Sequence, residues 1–222
     1  MNVQNKLTCI ILLGSQNYLN HCAVLFAKQI FNVIAIINPD NDKFDEDELY
    51  ELKPDYVFSF LNQRILYGAL LKCTNVNFHP SPPNWPGRGG ASLAIYTGDK
   101  YFGATAHTME LKVDAGTILK TKYFTILPDE ACESVFSRSE NACLELFYEI
   151  LSYIALHKKL PEPSGETWTR SATSRKQFEE WLLLNPADKD DFLLKIKASK
   201  HSKLPGPYVI VHGHKFGLVG KD

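Results

Sequence analysis

Lys6 to Leu13 reads KLTCIILL, apolar almost without interruption. A strand that faces water on one side alternates polar and apolar residues. A run without alternation predicts a strand buried on both faces, as in a parallel sheet covered by helices. Gly14-Ser15-Gln16-Asn17 ends the run, and Tyr18 to Phe31 then carries Leu19, Cys22, Ala23, Leu25, Phe26 and Ile30 at helical spacing. Val33 to Ile37 is a second strand. The unit is βαβ, right-handed if its strands are parallel neighbours, and this predicts an α/β fold. The GSQN turn, with Gly14 and Ser15 at a helix N-terminus, suits phosphate binding, although one glycine after a strand is ordinarily only a turn.

Further elements follow in the same rhythm. A short acidic helix is predicted near Asp45–Leu52, a third strand over Tyr56–Phe60 and a fourth over Asn75–Phe78. Ala91–Tyr96 reads as a helix, and Gly103–Met109 and Thr117–Thr125 as strands. Asp129–Leu156 is the best-formed helix, with Asp129 as its N-cap and Val135, Phe136, Ala142, Leu146, Ile150 and Ile154 as its buried stripe. Pro161-Glu162-Pro163-Ser164-Gly165 reads as a linker and sets the expected boundary: a core over 1–160 and a short extension over 161–222. The extension is predicted to hold helices near Ser174–Leu184 and Asp188–Ala198, then a β-hairpin turning at His212-Gly213-His214. The hairpin and the apolar residues around Trp181 either pack on the core or form a homodimer surface, and both stay open.

The chain has 222 residues and a formal net charge of -1, which leaves no basic footprint for nucleic acid. Its five cysteines (Cys9, Cys22, Cys73, Cys132, Cys143) are scattered and lack CxxC spacing, which argues against a disulfide framework or structural zinc and fits a reducing compartment. No run approaches the length of a membrane span, so a cytoplasmic protein with no membrane partner is expected. His212 and His214 have no carboxylate or cysteine at ligand spacing, so no metal is expected.

The chemistry concentrates between Thr74 and Leu119. Asn77 and His79 lie two apart in a strand and share a face. A loop rich in Pro and Gly follows (Pro80, Pro82, Pro83, Pro86, Gly87, Gly89, Gly90), stiff at its prolines and open to close approach at its glycines. Asp114 lies in a later VDAG turn. An amide, an imidazole and a carboxylate brought together serve as oxyanion donor, general base and imidazole orienter. His107, in the strand after the loop, either approaches that site or, more in keeping with strand histidines, is structural.

The string Asn77-Phe78-His79-Pro80-Ser81, the filling GDKYFGATAHTME and the turn Asp114-Ala115-Gly116 resemble the formyltransferase family that uses 10-formyltetrahydrofolate. The resemblance implies a Rossmann-like core with a mainly parallel twisted sheet, with Asn77, His79 and Asp114 as the catalytic set and Asp114 raising the pKa of His79. It implies a folate pocket at the third strand's end and its loop (FSFLNQRIL, with Phe60, Arg64, Ile65 and Leu66) and at Lys112 and Val113. Trp168-Thr169-Arg170 and Tyr208 to Phe216 resemble segments of the sugar-nucleotide N-formyltransferases, which implies Trp168, Arg170 and Tyr208 as substrate contacts. Where many relatives carry an aromatic-Arg-Gly element, the loop here reads Trp85-Pro86-Gly87-Arg88, which leaves Arg88 to grip a diphosphate. The implied activity is formyl transfer to the amine of a nucleotide-linked amino sugar for bacterial surface polysaccharide. Glycinamide ribonucleotide or methionyl-tRNA as acceptor, or a non-catalytic nucleotide- or folate-binding module, are the alternatives.

Overall fold

The computed structural model describes residues 6–14, 17–38, 44–202 and 206–218. A six-stranded mixed sheet forms its centre, in the order β2-β1-β3-β4-β5-β6. β1 (Thr8–Leu13), β2 (Asn32–Ile37), β3 (Tyr56–Phe60) and β4 (Thr74–His79) are parallel, whereas β5 (Tyr101–His107) pairs antiparallel with β4 and β6 (Ile118–Thr125) pairs antiparallel with β5. The strand order reverses at β1, which has β2 on one side and β3 on the other. At such a switch point the connections leave in opposite directions and open a crevice at the C-terminal strand ends.

Both faces of β1 are buried, as its unbroken apolar run requires. Ile11 joins Phe58, Phe60, Phe78, Ala23, Ala27 and Phe147 on the face covered by α1 (Tyr18–Ile30) and α4 (Cys132–His157). Ile10 and Leu12 face Val57, Leu66 and Leu70 on the other side. Phe147 of α4 meets Phe58, Phe60 and Phe78 at ring-centroid distances of 6.1, 5.2 and 5.0 Å, within the range where edge-to-face aromatic pairs are favourable. α1 starts at Asn17, whose side chain accepts from the Asn20 N–H at 2.9 Å. Leu25, one of the apolar residues at helical spacing in α1, is exposed.

Asp129 is not the N-cap of α4. It sits at φ 58 in the left-handed region and pairs with Lys197 at 2.7 Å, and Ala131 holds the cap position. An N-cap needs extended backbone, which Asp129 does not have. No side chain caps α4, and Glu130 instead accepts from the Leu127 N–H and from the Ser134 and Arg138 side chains.

The chain beyond α4 returns over the sheet. The Ser164 N–H donates to Ile118 O at 3.0 Å, and α5 (Arg175–Trp181) opens with a full capping box between Ser174 and Gln177. The Trp181 ring meets Tyr96 of α3 (Gly90–Thr97) edge-on at 5.3 Å, so this apolar group packs on the core. α6 (Lys189–Ser199) follows, and β7 (Tyr208–Val211) and β8 (His214–Gly217) form the hairpin.

Candidate active site

β4 brings Asn77 and His79 to the sheet's C-terminal edge with both side chains on one face. Antiparallel pairing sets His107 of β5 directly opposite Asn77. The β5–β6 connection folds back so that Asp114, at φ 43, reaches both histidines. Its Oδ2 lies 3.4 Å from His79 Nε2, and its Oδ1 lies 3.4 Å from His107 Nε2. The Gly87 N–H, from the loop after β4, donates to Asp114 Oδ2 at 2.7 Å.

These contacts fix the proton positions. His79 Nε2 faces two acceptors, Asp114 Oδ2 and, at 3.4 Å, Trp85 O. The neutral ring therefore carries its proton on Nε2 and keeps its lone pair on Nδ1. His107 Nδ1 lies 2.7 Å from Thr108 O and donates to it. His107 Nε2 stands between the Asn77 amide, 3.1 Å from Nδ2, and Asp114 Oδ1 at 3.4 Å, and the second amide N–H of Asn77 is left for another acceptor.

Burial pushes the His79 pKa down, and His107 adds to this. Asp114 and the Trp85 carbonyl pull it up without offsetting the loss of solvation. Asp114 thus lifts this value as expected, but desolvation outweighs it and the net shift is downward. Burial would likewise raise the Asp114 carboxyl, yet His79, His107 and the Gly87 N–H outweigh it and hold the group well below the usual carboxylate range. The site at neutral pH pairs an ionised carboxylate with a neutral imidazole, the state a general base needs.

A cavity of about 670 Å³ opens beside Asp114, between Glu110–Ile118 and Pro163–Ala172. Lys112, Trp168 and Arg170 line it. Trp168 Nε1 donates to Gly116 O at 2.8 Å, and the Arg170 guanidinium lies 3.9 Å from the centre of the Trp85 ring. Val113 is exposed beside Asp114, and Lys112 is exposed next to it.

The other residues singled out in the sequence are spread more widely. Phe60 is fully buried among Phe78 and Phe147, and its carbonyl accepts from the Gly14 N–H at 3.0 Å. Leu66 is buried in the second core cluster, whereas Ile65 is 40% exposed. The Arg64 guanidinium lies over Phe44 at 4.9 Å, and Arg88 donates to Gln63 Oε1 at 2.8 Å. Gly14 packs so tightly on Leu61 that a Cβ would lie 2.0 Å from Leu61 O. Ser15 falls outside the described residues. Tyr208 pairs by its backbone with Leu182 and Leu184, and Lys215 lies over its ring at 3.9 Å. Sequence reasoning gave too little weight to His107 and passed over the Gly87 N–H. Among the described residues, no group of three or more His, Cys, Asp or Glu is arranged to hold a metal ion, and no helix is long and apolar enough to cross a membrane.

A sheet with a switch point that sets a buried imidazole–carboxylate pair and an amide at its C-terminal edge defines an α/β protein equipped for acid–base chemistry. Residues 37–151, just over half of the chain, match the formyl transferase family, and the chain belongs to that family. It is 27% identical to a methionyl-tRNA formyltransferase of Treponema denticola over 78% of this chain and 54% of that protein. The chain thus spans about half the length of the curated relatives it matches. A sugar N-formyltransferase from Shewanella shares its fold at a TM-score of 0.76, with 18% identity and 96% of both chains covered. HypX of Aquifex aeolicus, solved with tetrahydrofolic acid, aligns at a TM-score of 0.70 and 22% identity over 95% of this chain and 37% of its own. At these identities the structural likeness speaks for the fold alone.

Proposed function

We propose that this protein moves a formyl group from 10-formyltetrahydrofolate to the primary amine of a nucleotide-linked amino sugar. The observation that carries the chemistry is the buried His79–Asp114 pair with Asn77 beside it. The fold likeness to a sugar N-formyltransferase over 96% of both chains favours the sugar acceptor. A flat pterin-like ring fits the sheet edge on the chemistry present. Half-exposed Ile65 leaves the C-terminal end of β3, next to the β4 end that carries His79, and exposed Val113 adjoins Asp114. The folate, when bound, supplies the formyl carbon as electrophile.

His79 Nδ1 takes the proton that the acceptor amine loses as its nitrogen bonds to that carbon. Asp114 steadies the imidazolium so formed through the Nε2–H. The free N–H of Asn77 meets the formyl oxygen as it gains charge. The imidazolium then gives its proton to the departing folate nitrogen, which returns His79 to its starting state. Arg88 and Arg170 are the cations proposed for a diphosphate, by charge-assisted hydrogen bonds. A bacterial surface polysaccharide is the destination this acceptor implies.

A second acceptor class, methionyl-tRNA, is favoured by the Treponema relative and opposed by the near-neutral charge of -1. The test incubates the purified protein with 10-formyltetrahydrofolate and a panel of nucleotide-linked amino sugars, with methionyl-tRNA and glycinamide ribonucleotide alongside. A mass gain of one CO unit on a sugar nucleotide is expected. A gain confined to either other acceptor replaces the sugar reading, and no gain on any acceptor with folate still bound leaves a binding module.

A further inference from the structure

Trp168 lies well beyond α4 in the chain, yet it meets both histidines of the site and the turn that carries Asp114. Its ring meets His107 at 4.9 Å and 88°, and His79 at 6.2 Å and 63°. Its indole N–H donates to Gly116 O, in the turn that carries Asp114. Gly116 packs closely on Thr108, where a Cβ would lie 1.8 Å from Thr108 O. Thr108 O is also the acceptor that sets the proton of His107. The indole therefore closes a chain of contacts through Gly116, Thr108 and His107 back to Asp114.

The backbone around it is tied to the loop after β4. The Thr169 N–H donates to Pro83 O at 3.3 Å and the Thr173 N–H to Pro86 O at 2.9 Å, and the Arg88 N–H donates to Thr173 O at 2.8 Å. That loop supplies the Gly87 N–H to Asp114 and the Trp85 carbonyl to His79. A group bonded on one side to the Asp114 turn and braced on the other by the loop is held on both flanks of the imidazoles. From this geometry we infer that Trp168 is a positioning residue, which holds His79, His107 and Asp114 in one arrangement and fixes the tautomers of the two rings.

The titratable groups that face His79 are Asp114 and His107, so a ring that tilts changes both contacts together. The test uses full-length protein carrying ¹⁵N-labelled histidine and reads the ring nitrogens at pH 7.5. In the wild type, His79 is expected with its proton on Nε2 and His107 with its proton on Nδ1. Trp168→Ala removes the brace, and both rings should average between tautomers. Trp168→Phe keeps an aromatic ring but loses the bond to Gly116, and an intermediate pattern is expected even if the alanine variant folds poorly. Trp181→Phe, on α5, is the control and should match the wild type.

In turnover assays, which rest on the formyl-transfer reading, Trp168→Ala should lower kcat tenfold or more, with KM for both substrates within about twofold. The nitrogen spectra do not depend on that reading and decide the positioning role even if no acceptor is formylated. A wild-type pattern retained in both Trp168 variants overturns the inference. So does a raised KM for the amine substrate with kcat unchanged, which would make Trp168 a substrate contact instead.

Discussion

His79 becomes a base by being dry. Burial holds its pKa below the ordinary histidine value of 6.5, so the free lone pair survives into mildly acidic solution. The acid limb of kcat/KM should therefore fall below pH 6.5, as a pH–rate profile would show. Asp114→Asn removes a contribution that raises the His79 value, and should move that limb lower while reducing kcat. His107→Gln removes one that lowers it and should move the limb up. A limb that stays put in both variants assigns it to another group. Stability follows the same sign. As pH falls, the unfolded chain takes up the His79 proton first, so this contribution is complete above about pH 6.5 and declines from there toward the folded-state value. Denaturation of His79→Gln should show a flatter slope than the wild type in that window. Ala at Asn77, His79 or Asp114 should each cut turnover by about 100- to 10,000-fold, with the circular dichroism spectrum retained.

Elements place these residues, and only some of that placement is legible in the sequence. Period-two and period-3.6 patterns are local, so β1, β4 and α4 show themselves, and Asn77 and His79 share a face by strand geometry alone. Pairing across strands is not local. Nothing near His107 says that β5 turns back antiparallel and sets it against Asn77. The tie between Thr173 and the loop after β4 joins residues far apart in the chain, and no pattern marks it. Asp129 misleads because its residue type suits a cap that its backbone does not form. Two glycines in the left-handed region, Gly87 in the loop after β4 and Gly98 at the C-terminus of α3, can be separated by experiment. Gly87 (φ +85) has Thr173 O 2.3 Å from where a Cβ would stand, whereas Gly98 (φ +73) has open space there. Gly98→Ala meets only the left-handed backbone and should cost about 1 kcal/mol, while Gly87→Ala adds a backbone clash and should cost about 2–3 kcal/mol more. It should also lower turnover, because its N–H bond to Asp114 would be displaced. Equal denaturation midpoints for the two variants would contradict this account.

Across the whole molecule, one aromatic cluster couples the sheet to its longest helix. Phe147 is fully buried and packs against three rings from two strands, Phe58 and Phe60 of β3 and Phe78 of β4. Phe147→Ala should therefore cost about 3–5 kcal/mol, read from urea denaturation. A smaller loss would mean that the neighbouring rings collapse into the gap. The fold class was readable because β1 must be covered on both faces. The return of the chain over the sheet was not, since a proline-rich linker looks the same whether it leads away from a core or back onto it. That return has a consequence for the order in which the protein is made. A nascent chain that has emerged as far as His157 already contains both histidines, Asp114 and every strand of the large sheet. The backbone that pins the loop after β4 is still inside the ribosome at that moment. The acid–base groups are thus translated early and secured late, and synthesis itself separates the folding of the sheet from the completion of its site.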